Sequence, residues 1–465
     1  MEPGQQIELT ITDLNHNGEG VGRHEERVVF VPDPAPGDYL RVKILQIKKN
    51  YLLGQCLEIL QPSPERTRPA CIVADKCGGC QWQHLSLAEQ RRIKQAQLKQ
   101  TLERIGQFQD LPLQPLLGND QGLAYRNKAT YPLGRSTTGQ VQAGYYQRQS
   151  HRLINLNQCP VQDSRLDLLL KEIKADIQFQ GWSIYDESQR RGKLRHLSLR
   201  IGRRTGEMLL TLVSAQPSLT NLQPQAEIWL QRYPDLVGVA LNLQPQPHNV
   251  IFGPETRIIA GRGSCREVFA GLTFELAPDT FFQVNTEVAE ALLEAVFAQL
   301  DFSRYQFLVD AYCGVGAFTL PLAQRAQSGA QVMGMENNPQ SIQQARHNGE
   351  LNLLTDVLFW EGTVAEGLAQ LETAPDFVLL DPPRKGLDRP VLDQLLHWSP
   401  QTLVYISCEP ATLARDLHIL GTEGDYRPVW IQGADFFPQT RHVECAVILE
   451  RLGLNIEGQS DPSNP

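Results

Sequence analysis

The chain has 465 residues, enough for two to four domains of ordinary size. Hydrophobic residues are 41% and charged residues 20%, the balance of a soluble globular protein, and no long apolar run offers a membrane span. A formal charge of −9 argues against a uniformly basic nucleic-acid binder, so a polyanion would have to be met by local patches.

The N-terminus, Met1-Glu2-Pro3-Gly4-Gln5-Gln6, is polar and lacks a secretory signal. Nine unevenly spaced cysteines fit a cytoplasmic protein whose thiols serve metals or catalysis. Residues 5–61 read as a small barrel. Ile7, Leu9 and Ile11 alternate with polar residues, further strands fall at 28–31, 39–47 and 52–60, and glycines and prolines punctuate them. Short strands of this number suit an OB-like barrel, closed off by a linker at Gln61-Pro62-Ser63-Pro64.

A cysteine-rich stretch at 71–84 precedes a helix over 87–105, with Ile93, Ala96, Leu102 and Ile105 as its buried stripe. The span 123–265 reads as a central mixed α+β domain. Within it, 190–204 holds Arg190, Arg191, Lys193, Arg195, Arg200, Arg203 and Arg204 without an acid. Such a run is often only a solvated face. With the cations at 41–49 and on the 87–105 helix, it favours contact with a polyanion.

From 267 to 450 the pattern changes. Strands at 307–310, 331–336, 377–381, 403–407 and 444–450 alternate with helices such as 286–300 and 339–351. That alternation predicts a mostly parallel sheet covered by helices on both faces. The tail, 455–465, is polar and expected to be disordered.

The strand at 307–310 runs into Ala311-Tyr312-Cys313-Gly314-Val315-Gly316. A strand, a glycine turn and a helix form a nucleotide-type crevice, and the next strand ends in Glu336, about 20 residues on, where a ribose hydroxyl is bound in such sites. The sequence lacks the third glycine of a pyrophosphate binder and the Lys-Ser/Thr of a P-loop. An adenosyl ligand without phosphates, S-adenosylmethionine, fits best. The strand at 377–381 ends in Asp381-Pro382-Pro383-Arg384, stiffened by its prolines. Enzymes that methylate exocyclic amines usually carry an aromatic residue where Arg384 stands.

Cys408, in Ile406-Ser407-Cys408-Glu409-Pro410, follows the next strand and so lies at the cofactor edge. A buried core cysteine is the common alternative. A thiol there suits methylation of carbon 5 of uracil, which is too weak a nucleophile until a thiolate adds to carbon 6. A nearby cation, from Arg384, Lys385 or Arg415, should lower the thiol pKa. The base that removes the carbon-5 proton is Glu444 or His442, and spacing alone leaves both open.

Cys71, Cys77 and Cys80 form C-x5-C-G-G-C, and Cys159, followed by Pro160, supplies a fourth thiol. Two C-x2-C pairs would suggest zinc. One pair with two isolated cysteines fits a 4Fe–4S cluster better, and with no exchangeable ligand its role is structural.

With these motifs in hand, the sequence resembles the bacterial RNA uracil-C5 methyltransferases, especially the 23S ribosomal RNA branch with a TRAM domain and a 4Fe–4S cluster. The resemblance spans the barrel, cysteines 71, 77, 80 and 159, and the motifs from Phe281 to Glu450. It implies a TRAM barrel at 1–61, a central cluster-bearing domain at 62–83 and 119–266, and a Rossmann-like methyltransferase domain at 84–118 and 267–454. It implies Gln283, Tyr312, Gly314, Glu336 and Asp381 as cofactor contacts, Cys408 as nucleophile and Glu444, rather than His442, as base. The cofactors implied are S-adenosylmethionine and the cluster held by Cys71, Cys77, Cys80 and Cys159. The partner implied is RNA, either 23S ribosomal RNA or a ribosome assembly intermediate, met by a cytoplasmic monomer with no membrane and no obligate protein partner. Ribosomal RNA is favoured because the transfer-RNA branch lacks the TRAM domain and the cluster. Ala317 departs from the family, where Asn often follows the glycine loop.

Two other readings compete. A non-covalent RNA methyltransferase would leave Cys408 incidental, and Arg384 argues against it. An RNA-binding module with a decayed enzyme domain is opposed by the intact set Glu336, Asp381, Cys408 and Glu444.

Overall fold

The structure, a computed structural model, describes residues 2–452; the tail at 455–465 lies outside the described residues. The chain divides into two compact units. One comprises the chain up to Gln97, Gly118–Ala289 and Asp435–His442; the other comprises Leu98–Leu117, Glu290–Ala434 and the chain from Val443.

In the first unit, strands Gln6–Leu14, Gly20–His24, Arg27–Val31, Tyr51–Gln61 and Tyr39–Ile47 close, in that order, into a barrel. Alternation drives it. Ile7, Leu9, Ile11, Val29, Val31, Leu40, Val42, Ile44 and Leu52 fill the interior, and polar neighbours face out. Gly54 allows the tight closure, because a Cβ there would strike Val42.

The same unit holds a seven-stranded sheet, ordered Glu255–Gly261, Leu236–Leu243, Met208–Ser214, Leu194–Ile201, Lys128–Arg135, Val141–Tyr146 and Leu153–Asn155. Helices Arg165–Phe179 and Leu222–Arg232 bury Leu166, Leu170, Ile173, Ile177 and Trp229 in its core. The basic run at 190–204 divides: Arg190, Arg191 and Arg204 are exposed, whereas Arg195 and Arg200 turn inward. Arg195 and Arg200 are buried, Arg195 donates to the carbonyls of Gln244, Gln246 and His248, and Arg203 pairs with Asp163 and Glu287. The strand Leu194–Ile201 is buried on both faces, which a charge count cannot see.

The helix Leu87–Arg104 contributes to both units. Ile93 packs with Leu14, Ala35, Trp82 and Leu85, whereas Leu98 and Leu102 join the core of the other unit. Ala96 and Ile105 of the expected stripe are exposed. Lys94 is buried instead, donating to Asp435 Oδ1 at 2.6 Å and to the Phe437 carbonyl at 3.0 Å. The excursion Asp435–His442 is anchored again at Gln439, whose backbone N–H donates to Gln90 Oε1 at 2.8 Å.

The second unit is an α/β sheet of eight strands, ordered Leu358–Glu361, Gln331–Glu336, Phe307–Ala311, Phe377–Leu380, Thr402–Ser407, Glu444–Arg451, Tyr426–Ala434 and Leu113–Leu117. The first five run parallel, and Glu444–Arg451 runs antiparallel to its neighbours. Val309, Ala311, Val378, Leu380, Leu403, Tyr405, Val447 and Leu449 are buried among helices that include Arg389–Trp398 and Pro410–Gly424. Among the described residues no helix is long and apolar enough to cross a membrane.

Candidate active site

Parallel strands end at one edge of their sheet, and here that edge collects Tyr312, Glu336, Asp381 and Cys408. The antiparallel strand starts where its neighbour stops. Ser407 pairs with Cys445, so the same register brings the next residues, Cys408 and Glu444, side by side at the edge. Five residues read from the sequence, with Gly314, thus meet within one unit. Gln283 belongs to the other unit, where its carbonyl accepts from Asn127 Nδ2 at 2.8 Å.

The glycine loop is shaped by backbone that L-residues avoid. Tyr312 has φ +70°, Gly314 +55° and Gly316 +85°. A tyrosine in the left-handed region is held there by its surroundings, as happens at ligand sites. The Gly314 N–H donates to Glu336 Oε2 at 3.2 Å and the Asn338 N–H to Glu336 Oε1 at 2.8 Å, which fixes the Glu336 carboxylate beside the loop.

Acids converge on this crevice. Burial pushes the Asp310 carboxyl up to about 8, with Asp381 and Glu336 adding to the rise against a hydrogen bond from Thr319. Burial alone pushes Asp381 up to about 7. Asp310 Oδ1 is buried and has no protein partner. A set of carboxylates that disfavour one another's charge stabilises a cation placed among them. The residues present therefore fit a ligand carrying a sulfonium and an ammonium and no phosphate. Asp310 was not singled out from the sequence; the available signal was an acid ending a fully apolar strand.

Glu444 is perturbed by its burial, and it in turn perturbs Cys408. Burial pushes the Glu444 carboxyl up to about 8, with Asp381 adding and Arg384 opposing. Burial and then the Glu444 carboxylate push the Cys408 thiol up to about 11, and Arg384 only moderates this. The expected lowering by a neighbouring cation is outweighed. Lys385 and Arg415 are engaged elsewhere, with Asp388 at 3.6 Å and Asp416 at 2.7 Å.

The loop after Asp381 is clamped by the helix that follows Cys408. Thr412 Oγ1 donates to the Arg384 carbonyl at 3.1 Å, Arg415 Nη2 to the Lys385 carbonyl at 3.0 Å, and the Leu387 N–H to Asp416 Oδ2 at 2.8 Å. Gly386, at φ +74°, is required because a Cβ would run into Asp416. No feature of the sequence marked Asp416.

In the first unit, Cys71, Cys77, Cys80 and Cys159 line one cavity of about 130 Å³ with Tyr125 and Arg126. Among the described residues no group of three or more His, Cys, Asp or Glu converges tightly enough for one metal ion. The Gly79 N–H donates to Cys77 Sγ at 3.5 Å, and half-buried Arg126 has a buried Nε without a protein partner.

An open α/β sheet with a glycine loop and acids at its carboxyl edge defines the class, a methyltransferase fold. Residues 268–452 match the tRNA (uracil-5-)-methyltransferase family and residues 1–57 the TRAM domain. An RNA methyltransferase of Synechocystis sp. is 59% identical over 451 residues, 97% of each chain. One of Bacillus cereus is 35% identical over 455 residues, 97% of this chain and 98% of its own. The solved tRNA (uracil-54, C5)-methyltransferase of Pyrococcus abyssi, in complex with S-adenosyl-L-homocysteine, is 26% identical with a TM-score of 0.76, covering 95% of this chain and 100% of that one. The chain belongs to the RNA uracil-5-methyltransferase family; it is an S-adenosylmethionine-dependent RNA methyltransferase with an N-terminal TRAM barrel.

Proposed function

We propose that the protein methylates carbon 5 of a specific uridine in 23S ribosomal RNA through a covalent bond to Cys408. The observation that carries the mechanism is the Ser407–Cys445 register, which sets Cys408 beside Glu444 at the cofactor edge. The Cys408 thiolate adds to carbon 6, and the electron pair of the ring double bond moves onto carbon 5 and its carbonyl. When bound, S-adenosylmethionine supplies an electrophilic methyl group to that carbon. The Glu444 carboxylate then takes the carbon-5 proton, the double bond re-forms and the carbon–sulfur bond to Cys408 breaks. Tyr312, Gly314, Glu336 and Asp381 hold the cofactor, and Asp310 Oδ1 adds an acceptor for its cationic end.

The cysteine cavity supports a 4Fe–4S cluster held by Cys71, Cys77, Cys80 and Cys159. Its volume is about 130 Å³, and all four thiols line it. The unpartnered Arg126 Nε suits the negative charge of a thiolate-bound cluster. The cluster's role is structural. Iron and acid-labile sulfide in anaerobically purified protein are expected; zinc without iron would overturn the assignment.

One observation favours transfer RNA as a second reading. The Pyrococcus abyssi enzyme named for tRNA aligns over 95% of this chain, so domain content alone does not select ribosomal RNA. Mapping 5-methyluridine in both RNAs from cells with and without the protein decides. Loss from 23S ribosomal RNA supports the first reading, loss from transfer RNA the second, and loss from neither defeats both.

A further inference from the structure

We infer that a polar groove of the first unit, built on the Cys77–Cys80 turn, binds an unpaired nucleotide of the RNA substrate, in addition to the uridine that is methylated. The inference rests on RNA being the substrate. The groove has a volume of about 530 Å³, within the roughly 300–1,000 Å³ of small-ligand sites. All the residues that line it lie in the first unit, and neither Cys408 nor Glu444 is among them.

Its chemistry is that of single-stranded RNA recognition. Asn17, Gln147 and Gln149 present carboxamides whose side chains make no hydrogen bond among the described residues, and no carboxylate lines the groove. Carboxamides offer a donor and an acceptor together, which matches the edge of an unpaired base. Tyr146 is 41% exposed, with its ring T-shaped to His151 at 5.9 Å, and such an exposed aromatic ring suits base stacking. Arg441 spends one N–H on the His16 carbonyl at 2.7 Å, and its remaining donors suit a phosphate.

The floor of this groove is the cysteine turn itself. Gly79 and Tyr145 line both the groove and the cysteine cavity. Arg148 ties the turn down, donating to the Cys77 carbonyl at 3.4 Å and the Cys80 carbonyl at 2.9 Å while pairing with Asp33 of the barrel. Gly78 must lack a side chain, because a Cβ would meet the Tyr146 carbonyl at 2.9 Å. The cysteine site thereby acquires a task without redox chemistry, which is to hold the floor of an RNA-binding groove.

The test uses the full-length, anaerobically purified protein without cofactor. Labelled pentauridine is the anisotropy probe, and 4-thiouridine-substituted 23S ribosomal RNA is the crosslinking probe. Tyr146→Ala should weaken pentauridine binding roughly tenfold, the loss typical of one stacking platform, and Tyr146→Phe should bind as the parent does. Gln149→Ala, at an exposed position, should weaken it as well. Crosslinks should fall on the peptide containing Tyr146 and Gln149. Parent-like binding by Tyr146→Ala and Gln149→Ala together, or crosslinks confined to other peptides, would overturn the inference. Neither measurement needs turnover, so a failure of uridine methylation would be seen separately, as absent 5-methyluridine.

Discussion

The Tyr405 hydroxyl donates a 2.7 Å hydrogen bond to Asp416 Oδ2, the oxygen that also accepts from the Leu387 N–H. One buried carboxylate thus ties together the strand that leads to Cys408, the helix that follows it and the loop that leaves Asp381. Asp416→Asn replaces an acceptor-only group with one that must also place two donors. We expect a stability loss of roughly 1–3 kcal/mol in denaturant unfolding. Because the loop carries Asp381, kcat/KM should fall by roughly tenfold or more. A variant as active and as stable as the parent would show that the clamp positions nothing.

The pH profile should report Glu444. Its carboxyl is pushed up to about 8, and a base works only when deprotonated. The kcat/KM for RNA should therefore climb as pH rises through about 8. The thiol, pushed up to about 11, should extend the climb and not reverse it. A profile that is flat or falling from about pH 6 to about pH 9 would contradict this assignment.

Asp310 should trade stability for binding. Its folded-state pKa, about 8, lies above the ordinary carboxylate range, so its contribution to stability is intact at low pH and is lost as pH rises through about 8. Asp310→Asn removes that loss. Without cofactor, the variant should melt above the parent, by a margin that grows from about pH 4 to about pH 8 and then levels. Its affinity for S-adenosylmethionine, read by calorimetry, should be lower. Equal melting curves across this range would refute the argument.

The buried pair Lys94–Asp435 makes an opposite prediction. Asp435→Asn leaves the Lys94 ammonium buried beside a neutral partner, at a cost of about 3–5 kcal/mol. Replacing both with apolar residues, as in Lys94→Met with Asp435→Leu, should recover most of that loss. Urea unfolding of the single and double variants checks both statements.

These residues also show where the sequence stopped being readable. The barrel was legible because Ile7, Leu9, Ile11, Val29, Val31, Leu40 and Val42 face one interior, and a period of two is visible in a string. The edge of the parallel sheet was legible because each strand ends in a residue of distinct chemistry, Tyr312, Glu336, Asp381 or Cys408. The Cys408–Glu444 neighbourhood could be suspected, but the register that produces it pairs strands far apart in the chain. Lys94 is one of the cations of the 87–105 helix, and nothing in the sequence marks it as buried because its partner, Asp435, lies 341 residues away. Arg195 and Arg200 were read as a basic face for the same reason, since the carbonyls that satisfy Arg195 and the packing that covers Arg200 come from distant segments. Asp310 and Asp416 escaped notice because a buried carboxylate acquires its meaning from the neighbours that fold around it.

The central claim is the covalent bond at Cys408, and trapping it in Glu444→Gln is the most direct measurement. Incubated with substrate RNA and S-adenosylmethionine, this variant should accumulate a protein–RNA adduct stable to denaturation. Mass spectrometry should locate a methylated uridine on the Cys408 peptide, and Cys408→Ala should form neither adduct nor product. Turnover by Cys408→Ala at the parent's rate, or no adduct in Glu444→Gln even with 5-fluorouridine RNA, would contradict the mechanism.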